Sequence, residues 1–69
     1  MDNTFKITRS HMVMLKKGEN VVSIEAICDT EENASMFMRE NKYLTMTADG
    51  SGVNGLEFCV NEIVNISGK

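Results

Sequence analysis

VVSIEAICDTEENASMFMRENKYL, residues 21–44, is the stretch whose reading decides the fold of this 69-residue chain. It opens as a strand. Val22, Ile24, Ala26 and Cys28 alternate with Val21, Ser23, Glu25 and Ile27, which gives one apolar face and one mixed face. Asp29 then offers a carboxylate suited to capping a helix, and Glu32, three residues on, completes a capping box. Ala34, Phe37 and Met38 recur at helical spacing, so a helix is expected over about 30–41, with Asn41 ending it. Tyr43, Thr45 and Thr47 alternate with Leu44, Met46 and Ala48, the pattern of a further strand over 43–48.

Upstream, Phe5, Ile7, Val13 and Leu15 share odd parity and fall on one face of a strand over 5–15, with Met12 and Met14 on the other. Lys17-Gly18-Glu19-Asn20 is a turn in which Gly18 supplies a positive φ. Pairing Lys16 with Val21 sets Val13 against Ile24 and Leu15 against Val22, and joins the two apolar faces; a one-residue slip would set Met12 and Met14 there instead. Downstream, three glycines within residues 49–55 predict a flexible connection. Leu56, Phe58 and Val60 alternate, Asn61-Glu62 interrupts, and Ile63, Val64 and Ile66 resume, which suggests a bulge at Asn61. Ser67, Gly68 and Lys69 read as a frayed tail.

The expected fold class is therefore α+β: a small ββαββ two-layer domain, with a mostly antiparallel four-strand sheet and one helix packed on one face. Residues 1–69 make one domain. A chain of this size buries only about 60% of its unfolded surface, so its stability rests on one core. Apolar content of 42% with 25% charged residues is globular in character. The N-terminal residues lack the apolar core of an export signal, and two cysteines are too few for a disulfide scaffold. Both point to a cytoplasmic protein with reduced thiols.

Candidate chemistry is sparse. The single histidine, His11, falls opposite Ala26 in the favoured register, near Cys28, which precedes the helix; a reactive thiol there is weighed against a small buried hydrophobe and a structural histidine. No paired-cysteine spacing suits zinc, and Val53 and Asn54 stand where a calcium loop needs other residues. No metal, cofactor or catalytic residue is expected. The glycines of 50–55 lie between strands and not before a helix, so a nucleotide cradle there is only an alternative reading. The net charge of −3, from seven Lys and Arg against ten Asp and Glu, speaks against general binding to a phosphate backbone. A nucleic-acid-binding regulator using Arg9, Lys16, Lys17, Arg39 and Lys42 is the rival reading.

Six methionines are the more distinctive feature. Met38 belongs with the core stripe, but Met36 points nearly opposite it. Met12 and Met14 fall with Val21 and Ile27 on the sheet face away from the helix. Flexible thioethers suit adaptable contact surfaces, so Met12, Met14, Val21, Ile27 and Met36 are the candidate interface. TEENASMFMREN resembles capped helices of short bacterial and phage proteins, and LEFCVNEIVNI is similar to the terminal strands of such proteins; neither segment implies site residues. The reading that results is a small non-enzymatic binding or regulatory protein, a phage or mobile-element accessory protein in character. It would act through protein–protein contacts with itself, as a homodimer, and with another protein.

Overall fold

A computed structural model of the chain describes residues 4–68; of the expected tail, Lys69 lies outside them. Strands β1 (Lys6–Lys17) and β2 (Asn20–Cys28) form a hairpin, helix α1 (Glu31–Glu40) follows, and strand β3 (Leu56–Ser67) closes the chain. Between α1 and β3 lies a short 3-10 helix, Lys42–Thr45. The sheet is antiparallel with order β2-β1-β3. Among the described residues it has three strands, not the four of a ββαββ domain.

The missing strand is the expected one over 43–48. Asn41 ends α1 by donating its backbone N–H and its side-chain amide to the Phe37 carbonyl, at 3.0 and 2.8 Å. The chain then continues to coil, with Leu44 N donating to Asn41 O. Only Met46 retains a strand-like bridge, to Val53. The glycine-rich segment is also better ordered than expected. Thr47 N donates to Gly52 O at 2.8 Å and Asn54 N to Thr45 O at 3.0 Å. The Asn54 amide donates to the carbonyls of Leu44 and Met46, while its oxygen accepts from Leu56 N.

The β1–β2 turn has the expected form. Gly18 has φ 63°, no non-glycine residue described has positive φ, and Lys17 pairs with Asn20, the pattern of a type II′ hairpin. Lys16 pairs with Val21 as expected. Beyond it the register departs, because Val22 and Glu25 are each left out of the ladder as bulges. Val13 therefore faces Ala26, Leu15 faces Ser23 and Met14 faces Ile24. Ser23 Oγ donates to Glu25 at 2.5 Å beside the second bulge. In contrast, β3 pairs with β1 without interruption from Leu56 to Ser67, so there is no bulge at Asn61. Leu56, Phe58, Val60, Val64 and Ile66 hold one parity throughout, and Ile63 lies on the opposite face.

Helix α1 starts one residue later than the capping-box reading places it. Thr30, in extended conformation, is the N-cap, and its hydroxyl accepts from Asn33 N at 3.0 Å. Asp29 instead accepts from the Asn33 side-chain amide at 2.8 Å. Glu32 lies in the first turn with Glu31, where the helix dipole favours negative charge. Ala34 is buried and Phe37 and Met38 are half-buried. The helix covers the sheet face that carries Val13 and Leu15, which with Met14 and Ala34 form the buried core.

The result is not compact. The Cα radius of gyration is 15.8 Å, against about 11 Å for a globular chain of this length. The molecule extends 61 × 23 × 11 Å. The cause is visible in the pairing: β2 accompanies β1 only from His11 to Lys17, while β3 accompanies it from Lys6 onward. The paired ends of β1 and β3 thus project beyond β2 as a two-stranded arm.

Candidate functional site

Two surfaces stand out. The first is the sheet face away from α1. Pairing places Met12, Met14, Val21, Ile24 and Ile27 on it, with Cys59 and Ile63 from β3. The bulges create this grouping. Val21, Ile24 and Ile27 are three residues apart, a spacing that a regular strand would split between faces. Each bulge inserts one residue and returns the next apolar side chain to the same side. Val21, Ile24 and Ile27 are all exposed, Ile27 to 64%. Met12 is half-buried. Met14, flanked by Ile24 and Cys59 in the middle of the sheet, is only 4% exposed. Met36 does not join this face. It lies on α1, beyond the opposite side of the sheet, and is 41% exposed. Ile24 was missed by sequence reasoning because strict alternation assigned it to the core.

The second surface lies on the helix side, at the end of the molecule away from the arm. Met38, Arg39, Lys42, Thr45, Val53 and Phe58 are among the residues around a cleft of about 730 Å³. Leu56 and Phe58 form its floor on β3. The size is ordinary for a site that receives apolar groups. On the same side of the sheet, Phe5, Ile7, Val64 and Ile66 stand exposed on the arm.

His11 pairs with Cys28 on one side and Glu62 on the other, so the three form a row across the sheet. His11 does not face Ala26 as expected. A smaller cavity of about 430 Å³ lies between His11, Val60 and Glu62 of the sheet and Glu31, Ala34 and Ser35 of the helix; Cys28 does not line it. Cys28 is a free, half-buried thiol. Among the described residues no group of three His, Cys, Asp or Glu side chains converges as metal ligands would. No described helix is long and apolar enough to cross a membrane.

The five basic residues do not share one face. Arg9 is on the arm in an ion pair with Glu62, Lys16 lies on the open face, and Arg39 and Lys42 border the cleft. A β-carbon on Gly55 would lie 3.9 Å from the Lys17 side chain, which places Lys17 near the cleft as well. In the loop, the Asp49 carboxylate accepts from Ser51 N at 3.0 Å, Ser51 Oγ at 2.8 Å and Thr47 Oγ1 at 2.7 Å. These bonds, the Ser51 backbone first, lower its pKa to about 2. They complete the loop's own turn and point to no ligand.

Comparison of the chain with protein-family models, with curated proteins and with solved structures finds no match in any of the three.

Proposed function

We propose that this is a non-enzymatic binding or regulatory protein whose open sheet face docks on the surface of another protein. The observation that carries the reading is the convergence of Val21, Ile24 and Ile27 on one exposed face through two bulges. Bulges are placed features that re-aim side chains. Here they gather apolar groups on the side where solvent would favour polar ones. Met12 and Cys59 extend the patch toward β3 with soft, adaptable side chains. Exposed apolar side chains grouped on one face are the kind of surface through which proteins make contact.

Nucleic-acid binding draws less support, since Arg9 and Lys16 lie on opposite faces and Arg9 is paired. The test is a comparative capture from lysate of the cells that make the protein. The wild type and an Ile27→Lys variant serve as bait, with circular dichroism to verify that the variant is folded. A protein retained by the wild type and lost from the variant supports docking on this face. Equal recovery by both baits removes the basis for it.

A further inference from the structure

We infer that the chain pairs with a second copy of itself through the outer edge of β3, so that each arm extends the floor of the other copy's cleft. This names one partner for the protein-contact reading above but uses a separate surface, so the two can fail independently. Four observations lead to it.

The two edges of the sheet differ. β2 carries two bulges, which distort an edge and discourage further pairing. β3 pairs with β1 without a break from Leu56 to Ser67, contains no proline, and among the described residues has no strand beyond it. Past Leu56, whose N–H is taken by Asn54 Oδ1, its outward N–H and C=O groups form a template for one more strand.

The surface is also larger than that of a compact monomer. The accessible area is 5267 Å², against about 4300 Å² for a compact monomer of 7.7 kDa. The excess, about 900 Å², is close to the roughly 800 Å² that each partner loses in a standard stable interface. The arm accounts for part of it. A two-stranded ribbon is marginal by itself in water, yet this one presents Ile7 at 60% and Ile66 at 64% exposure.

Symmetry then limits the register. Antiparallel pairing of β3 with its copy requires a twofold axis perpendicular to the sheet, which keeps each residue on its own face. Residues that meet must therefore have the same parity. Centring the axis at Glu62 would set two carboxylates directly opposite. Centring it at Asn61 avoids that and overlaps the whole of residues 56–66. In this register Leu56 meets Ile66 of the second copy and Phe58 meets its Val64.

The fourth observation is what that register achieves. Leu56 and Phe58 are the floor of the cleft, and Val64 and Ile66 are the exposed apolar residues of the arm. The edge pairing that the backbone permits thus delivers the unsupported arm of one copy to the open apolar cleft of the other, twice over. The six-stranded sheet that results carries both helices on one side and leaves the open faces of both copies continuous on the other.

The test combines mass and register. Sedimentation of the wild type at micromolar concentration should show twice the 7.7 kDa chain mass. Ile66→Lys and Val64→Lys alter exposed positions and should keep the folded circular dichroism spectrum, while weakening self-association by on the order of thirtyfold or more. With Cys28 and Cys59 replaced by serine, Asn61→Cys should form a covalent dimer on mild oxidation, and Glu57→Cys should not. A 7.7 kDa species at all concentrations overturns the inference. So does a dimer untouched by both lysine variants, one dissociated by Ile27→Lys instead, or one crosslinked more readily through residue 57 than through residue 61.

Discussion

Arg9 and Glu62 reach each other diagonally across the β1–β3 ladder, Nη1 to Oε1 at 3.2 Å, beside the point where β2 stops pairing. The pair stands at the root of the arm, where the sheet narrows from three strands to two. Both side chains are largely in solvent, so the attraction is screened and offset by lost side-chain freedom. Arg9→Ala should lower stability by no more than about 1 kcal/mol, and by less at high salt. Urea denaturation at two salt concentrations checks this; a salt-independent loss would mean that the arginine acts by packing its aliphatic stem.

The cap distinguishes two neighbouring residues. Thr30→Ala removes the oxygen that accepts from Asn33 N and should cost about 1 kcal/mol. Asp29→Ala removes only a bond to the Asn33 side chain and should cost less. Denaturation midpoints in the reverse order would place the start of the helix one residue earlier.

Leu15 is 4% exposed within the core. Leu15→Ala should destabilise by roughly 2–5 kcal/mol. Met36→Ala, on the outer side of α1, should stay within about 0.5 kcal/mol of the wild type. Comparable losses at both sites would show that the helix buries a different face.

Asp49 gives the loop a pH dependence. Its pKa is depressed to about 2 from the ordinary 3.8, so its contribution to loop order is fully present above 3.8 and is lost as pH falls through about 2. The amide resonances of Ser51 and Thr47 should titrate with a midpoint near the lower value, and Asp49→Asn should abolish the transition. A midpoint at 3.8 would mean that the three hydrogen bonds are not maintained in solution.

Much of this architecture was legible in the residues. Alternation located β1, β2 and β3, Gly18 marked the turn, and Ala34, Phe37 and Met38 marked the inner side of α1. Parity failed wherever the backbone departs from strict alternation. The bulges at Val22 and Glu25 change which side chains are neighbours without leaving a glycine or proline as a sign. Over 43–48 the alternation is genuine, but Asn54, several residues downstream, holds the Leu44 and Met46 carbonyls in a compact arrangement. That long-range bond has no local signature. On the open face, alternation alone places Met12, Met14, Val21 and Ile27 together, whereas Ile24 joins them only through the bulge; Met36, read as pointing away from the core stripe of α1, is exposed on that helix. The cleft and the arm were not legible, because both depend on how far each strand extends beside its neighbours.

The central position of β1 has a consequence for how the chain acquires its shape. Its hairpin partner β2 is adjacent in sequence and can zip up within microseconds. Its other neighbour is about 40 to 60 positions away at each pairing, beyond the helix and loop, so closing that ladder bears a much larger entropic cost. During synthesis the hairpin is complete while one whole side of β1 still lacks its neighbour. For that interval the strand carrying Val13 and Leu15 is a free edge available to any extended segment nearby, and the rate at which β3 arrives sets how long the nascent chain is open to misassembly.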